Sequence, residues 1–261
     1  MTPMVAMDMP CQDDEKLFFF DARWPVLYVD NHLLAVYKPS GLLVQGDRTG
    51  DPCLLDLAKQ WIKVRYHKPG QVFLAMVHRL DRPVAGVVLF ARTSKAAGRL
   101  SRQFRERTVE KRYLAVVQGV VRQEADRLID HLERRDRLSR VVANPTKESR
   151  EARLRYGLLG EDGQNSLLRI TLETGRRHQI RIQLAAMGHP ILGDLRYGAD
   201  QPLPGKQIAL LARHLSVAHP TLGTRLTLIS PIPQSWPWPA DDTAVGVRPP
   251  WDWRMLKGPH E

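Results

Sequence analysis

His78-Arg79-Leu80-Asp81-Arg82-Pro83 runs straight into the apolar stretch VAGVVLFA at residues 84–91, and the reading of these two pieces decides the fold. The stretch is short and rich in Val, with Pro83 before it and Thr93-Ser94 after it, which predicts a buried strand rather than a helix. Asp81 then lies in the loop entering a core strand, with Arg79 and Arg82 close enough in sequence to favour its ionised form. A sheet is a rigid support for a carboxylate aimed at a substrate. Taken alone, the same Asp serves equally well as a turn or salt-bridge residue.

Upstream, residues 26–29 and 33–37 read as two short strands joined at Asp30-Asn31-His32, a hairpin by its turn chemistry. Residues 54–64 carry Leu54, Leu57, Trp61 and Val64 at helical spacing, with acidic residues early and Lys63 and Arg65 late, the sense that suits a helix dipole. Downstream, Ser94 is placed to cap a helix running to about Arg107. Ala97, Leu100 and Phe104 point inward on it, and Arg99, Arg102 and Arg105 form an outward basic ridge. Residues 111–117 alternate as a strand with Tyr113, Ala115 and Val117 on one face.

Residues 130–155 mix charge with little apolar content, which predicts a long loop or hairpin, mobile without its ligand. After a strand at 167–174, Gly175 opens a predicted helix with Ile180, Leu184 and Met187 on its inner side and Arg177 and Arg181 sharing another face. Gly188 and Pro190 stop it. A late strand is expected at 225–230 and a wrapping Trp- and Pro-rich tail at 236–261. Helices and strands interleave with several hairpins and no internal repeat. The class is therefore α+β, with a central mixed, largely antiparallel sheet rather than a doubly wound parallel one.

The chain has 261 residues, 43% of them hydrophobic, enough for an ordinary globular core, and a formal charge of +11. Residues 92–155 hold 18 Lys and Arg against 9 Asp and Glu, so most of the excess lies there. Such a balance fits a polyanionic partner, and Arg suits phosphate oxygens and base faces better than Lys does. A solvated basic face is the plainer alternative. Two cysteines, Cys11 and Cys53, offer neither a disulfide framework nor a CxxC site. No leader or membrane-span pattern is seen, so a cytoplasmic protein is expected. HExxH, GxxxxGK and GxGxxG are all missing, so neither a metal nor a nucleotide cofactor is indicated.

With His78-Arg79-Leu80-Asp81 as a catalytic-Asp motif, Lys111-Arg112-Tyr113 as K-x-Y and residues 175–181 as G-R-x-H-Q-I-R, the chain resembles the RluA-type RNA pseudouridine synthases. The segment DNHLLAVYKPSGLL, residues 30–43, resembles that family's amino-terminal K-P-x-G motif. The likeness covers about residues 24–236, with the motifs in the family's order. It implies a pseudouridine synthase-like catalytic domain with an active-site cleft across the sheet. It also implies an isomerase that needs no cofactor and acts on structured RNA, ribosomal RNA first and transfer RNA second.

By position the resemblance makes Asp81 the catalytic carboxylate, Arg181 its ion-pair partner and Tyr113 the aromatic that stacks on the target base. Arg79 resembles the arginine that fills the gap left by a flipped nucleotide. Arg82, Arg102, Arg105, Arg176 and Arg177 are expected to bind RNA, and His78, His178 and Gln179 to support the site from behind. Many relatives carry Thr-Ser where this chain has Val84-Ala85, so one hydroxyl near the site is missing.

The expected organisation is a tail over 1–20, one catalytic domain over 21–240 and a tail over 241–261, in a monomer. The residues ahead of the catalytic segment are too few for an S4 RNA-binding domain, so target selection is expected from the catalytic domain. An inactive, basic RNA-binding or chaperone protein on the same fold is the alternative, against which the joint presence of Asp81, Tyr113 and Arg181 argues. A glycosidase lacks a second motif carboxylate to act as general acid.

Overall fold

A computed structural model describes residues 26–135 and 138–239. The tails expected at 1–20 and 241–261, and Cys11, lie outside the described residues.

The run after Asp81 is the strand Ala85–Ala91, buried at every position. In chain order it is β4, after β1 (Val26–Val29), β2 (Leu33–Lys38), α1 (Leu54–Arg65) and β3 (Ala75–Met76). It is followed by α2 (Ser94–Glu106), β5 (Glu110–Gln118), β6 (Ala125–Arg135), β7 (Leu138–Val142), β8 (Arg150–Glu161) and β9 (Asn165–Leu172). Then come α3 (Gln179–Ala186), β10 (Leu210–Ala218) and β11 (Arg225–Ile229). The strands form one 11-stranded sheet in the order β1-β2-β4-β10-β5-β9-β8-β6-β7, with β3 on β4 and β11 on β10. Among the described strands only β4 and β10 pair in parallel, Ala85 opposite Leu211 and Gly86 opposite Ala212. The mixed, largely antiparallel α+β sheet expected from the pattern is the one observed.

Strand alternation divides the core between two faces. Leu34, Val36, Val88 and Phe90 pack on one face with Leu54, Ala58 and Ile62 of α1 and Ile180 and Leu184 of α3. Leu33, Ala35, Val87 and Leu89 pack on the other with Ala96 and Leu100 of α2. β2 and β4 are thus apolar on both sides, which is why they read as continuous hydrophobic runs. The β1–β2 turn is closed by Asp30, whose Oδ1 accepts the His32 and Leu33 amides at 2.7 and 2.6 Å. At Gly86 the φ is +131°, and a Cβ there would lie 2.4 Å from the Ala212 carbonyl oxygen. Only glycine lets the parallel strands meet so closely.

Several expectations need correction. Of the two forms expected for residues 130–155, a hairpin is the one observed and not a long loop: β6 and β7 pair antiparallel, and β8 pairs along β6. The strands were hidden because β6 turns Leu132 inward and leaves Arg127, Ile129, Arg134 and Arg135 exposed to solvent. In α1 the buried residues are Leu54, Ala58 and Ile62, while Val64 is 42% exposed, so the inner stripe is shifted by one residue from the one expected.

Thr93, not Ser94, caps α2, its hydroxyl accepting the Ala96 amide at 3.2 Å. Arg99 is half-buried and donates to the Pro220 carbonyl, so it is no part of a free ridge. α3 begins at Gln179 rather than Gly175, and all six residues from 179 to 184 are buried. Arg177 therefore precedes the helix and is exposed, while Arg181 points inward, and the two do not share a face.

Candidate active site

The Asp81 loop is clamped from the β2 side. Gly41 N–H donates to the Arg82 carbonyl at 2.8 Å. Ser40 Oγ donates to the Pro83 carbonyl at 2.8 Å. Lys38, fully buried at the end of β2, donates from Nζ to the carbonyls of Pro39, Leu42 and Arg82 at 2.8, 2.8 and 3.1 Å. Burial pulls the Lys38 ammonium down to about 7, with Asp81 opposing the shift. The Arg82 side chain closes the clamp, donating to the Gly41 carbonyl at 2.9 Å and to Asp51 at 2.6 Å. Within the loop, Val84 N–H donates to the Asp81 carbonyl at 3.0 Å. The carbonyls of Asp81, Arg82 and Pro83 are thus each tied to a neighbour, which restrains the loop.

His78 holds the other end. Its Nε2 accepts the Leu89 amide at 2.9 Å, and its ring stacks on Phe104 of α2 with centroids 5.1 Å apart. Burial lowers it to about 3, so it stays a neutral acceptor.

From the opposite wall, α3 sends Arg181 to Asp81, Nη1 lying 3.2 Å from Oδ2. The same guanidinium is gripped by Asp194, with Nε to Oδ2 at 2.6 Å and Nη2 to Oδ1 at 2.7 Å. Arg181 and Asp194 are 5% and 1% exposed, so this is a buried, two-pronged pair with one N–H edge left over for Asp81. His178 stands in the left-handed region at φ 56° and brings its Nε2 to 3.6 Å from Asp81 Oδ2. Gln179 and Gln183 anchor the helix. Gln179 accepts from Thr174 Oγ1 at 2.7 Å and donates to the Arg153 carbonyl at 3.0 Å, and Gln183 donates to Asp130 at 2.6 Å. Tyr113 projects from β5 on the same face as Ala115, and burial together with the Asp81 charge raises its hydroxyl.

Together these walls bound an open cleft of roughly 200 Å³, lined by Asp81, Tyr113, Arg181, Arg79, Arg176, Arg177, His178 and Gln179 among others. Arg79 and Arg177 are exposed at it, whereas Arg176 is half-buried and donates from Nε to the Glu151 carbonyl at 2.9 Å. His78, Arg82, Arg102 and Arg105 do not line it. Arg102 and Arg105 are exposed on α2, across the sheet from α3. Sequence reasoning missed Lys38, Asp194 and Tyr197. The last two lie in Gly193-Asp194-Leu195-Arg196-Tyr197-Gly198, where an acid between Gly residues close after an Arg-bearing helix was the available signal.

The profile of the family described as RNA pseudouridylate synthase matches residues 32–186. The ribosomal large subunit pseudouridine synthase C of Buchnera aphidicola is 33% identical over 79% of this chain and 67% of its own length. The ribosomal large subunit pseudouridine synthase D of Nitrosomonas europaea is 36% identical over 80% of this chain, which spans 62% of that relative. A dual-specificity RNA pseudouridine synthase of Haemophilus influenzae is 35% identical over 77% of this chain and 90% of its own. The solved structure of Human RNA Pseudouridylate Synthase Domain Containing 4 superposes with a TM-score of 0.69 at 25% identity, covering 81% of this chain and 89% of that one.

Proposed function

The chain belongs to the RNA pseudouridylate synthase family, and we propose that it isomerises uridine to pseudouridine in structured RNA with Asp81 as its catalytic carboxylate. The reaction breaks the bond from C1′ to N1, turns the uracil and rejoins C1′ to C5, a proton leaving C5 and one being gained at N1. Atoms and oxidation state balance without a co-reactant. What the chemistry asks of a protein is an ionised carboxylate at the sugar or ring, a slot that retains the freed base, and a way to hold the nucleotide out of its stem.

The observation that carries the reading is the pairing of Asp81 Oδ2 with Arg181 Nη1 at 3.2 Å in a cleft that Tyr113 also lines. Arg181 fixes the direction of the Asp81 carboxylate, because Asp194 fixes Arg181. The contacts from Arg181 and His178 both go to Asp81 Oδ2, which supports Oδ1 as the oxygen that meets substrate. Tyr113 offers a ring face on which the uracil can stack and turn, worth about 1–3 kcal/mol per base. Arg79, Arg176 and Arg177 supply positive charge at the cleft for the phosphates beside the extruded nucleotide. Ribosomal RNA is the first choice of substrate, supported by the names of the ribosomal large subunit relatives, and transfer RNA the second, supported by the tRNA pseudouridine synthase C of Yersinia pestis, 33% identical over 81% of this chain; the formal charge of +11 suits either.

Asp81→Asn tests the assignment. The amide keeps the shape and can still accept from Arg181, yet it is neither charged nor nucleophilic. RNA binding is expected to persist while pseudouridine formation stops, read by tritium release from 5-tritiated uridine in RNA. Retained turnover would sink the assignment. Tyr113→Phe should bind RNA like the parent and Tyr113→Ala more weakly by roughly the stacking energy.

A further inference from the structure

Arg181 and His178 both reach Asp81 Oδ2, and both lean on one residue of the short helical turn Leu195–Tyr197. The Tyr197 ring lies beneath the Arg181 guanidinium, whose Cζ is 4.9 Å from the ring centroid. The Tyr197 hydroxyl is 2.7 Å from His178 Nδ1, and the two rings meet edge-on, their centroids 5.7 Å apart and their planes at 79°. The turn is itself fixed, since Tyr197 N–H donates to the carbonyl of Asp194 at 2.9 Å and the Asp194 carboxylate is committed to Arg181.

A neutral imidazole has one N–H and one lone pair, and the partner of one nitrogen decides what the other presents. Were Nδ1 to carry the hydrogen, a lone pair at Nε2 would face the Asp81 carboxylate, two negative ends opposed at 3.6 Å. With Tyr197 donating to Nδ1, the hydrogen sits on Nε2 and the contact is attractive. Burial and the nearby Arg181, Arg177 and Arg196 charges lower His178 to about 4, so the ring is neutral in ordinary buffers.

Resting on the reading of Asp81 as the catalytic carboxylate, we propose that Tyr197 is a positioning residue that fixes His178 as its Nε2–H tautomer. Asp81 Oδ2 then faces N–H groups on two sides, hydrogen-bonded by Arg181 and attracted by His178, which leaves Oδ1 for the RNA. At 3.6 Å the His178 contact is longer than a hydrogen bond, so His178 acts on Asp81 Oδ2 as an aligned N–H dipole beside the direct bond from Arg181.

Tyr197→Phe keeps the ring beneath Arg181 and removes only the hydroxyl. The single-turnover rate at saturating RNA should fall about tenfold with RNA affinity unchanged. Nitrogen NMR of His178 should show the ring leaving the pure Nε2–H form for a mixture of tautomers. A second comparison does not depend on how well that variant folds. His178→Gln extends an amide N–H toward the place of Nε2, whereas His178→Asn suits the left-handed backbone at φ 56° but stops short of Asp81. Gln should keep most of the rate and Asn should lose as much as Tyr197→Phe. An unaltered tautomer in Tyr197→Phe, or equal rates for Gln and Asn, overturns the proposal. Asp81→Asn run alongside separates the two levels. Full turnover from it refutes the reading of Asp81, while its silence beside full turnover from Tyr197→Phe refutes only the role of Tyr197.

Discussion

Asp194→Asn should unfold the protein far more readily than Asp81→Asn, although both residues contact the same guanidinium. Asp194 is 1% exposed and accepts two charge-assisted hydrogen bonds at 2.6 and 2.7 Å from an arginine that is itself 5% exposed. An asparagine there keeps one acceptor but turns an NH₂ toward an arginine N–H. One strong bond is lost and a donor is set against a donor. Breaking one side of a buried pair costs about 3–5 kcal/mol, and the surviving Asp81 contact brings the expected loss to the low end, about 3 kcal/mol.

Asp81 makes one bond to Arg181, at 3.2 Å, and its side chain is 27% exposed. Water screens that pair, so Asp81→Asn should cost about 1 kcal/mol or less. For a domain of this size each kcal/mol moves Tm by roughly 2–4 °C, so the two variants should separate by several degrees. Urea unfolding followed by tryptophan fluorescence and circular dichroism, with thermal scans of both variants, measures the difference. If Asp194→Asn unfolds within about 1 kcal/mol of the parent, Arg181 is not fixed by Asp194, and the derivation of the site's rigidity fails.

Gly86→Ala places a methyl 2.4 Å from the Ala212 carbonyl at a φ of +131°, so little soluble folded protein is expected, with the collapse visible by gel filtration. Lys38, lowered to about 7 when folded against 10.5 unfolded, binds fewer protons in the native state between those values. Its contribution therefore makes stability rise with pH from about 7 to 10.5, by at most about 1.4 kcal/mol per pH unit, and its cost is complete below 7. The stability of the parent relative to Lys38→Met should accordingly grow between pH 7 and 9, and a difference flat with pH would refute it. Replacing Arg79 and Arg177 by Gln should flatten the dependence of RNA affinity on salt by about one to two log-log units. The same change at Arg102 and Arg105, exposed on α2 across the sheet from α3, should do less, and the reverse order would place the RNA on the α2 side.

What the sequence showed about the fold follows from how many sides of each element are buried. β2 and β4 are covered on both faces, so their apolar runs needed no phase to be recognised. β6, β7 and β8 are covered on one face only, and their inward positions include Asp130, which satisfies Gln183 of α3 rather than a hydrophobic neighbour. A period-two pattern with a carboxylate in it reads as a charged loop, and only the partner across the sheet shows that the carboxylate is a strand residue. The α1 stripe was out by one residue for a related reason: Ala58 is wholly buried but too small to mark a face against Leu57 and Trp61.

The site divides along the same line. Asp81, Tyr113 and Arg181 stand in short motifs whose residue types declare charge, ring and counter-charge, and the structure does bring these three to one cleft. Asp194 and Tyr197 stand in none, because their work is done on Arg181 and His178, 13 and 19 positions away along the chain. Residues 193–198 mark an acid after an Arg-bearing helix but do not say which residue that acid serves. An arginine only 5% exposed still requires a counter-ion besides the half-buried, single-bonded Asp81, and that requirement follows from the cost of burying an uncompensated charge. Once Arg181 is taken as inward, the acids within reach after α3 are few, and Asp194 is the nearest of them in sequence. The orientation of Arg181 was the missing premise. It depended on α3 starting at Gln179, a start set by the left-handed turn at His178 and invisible to helical periodicity.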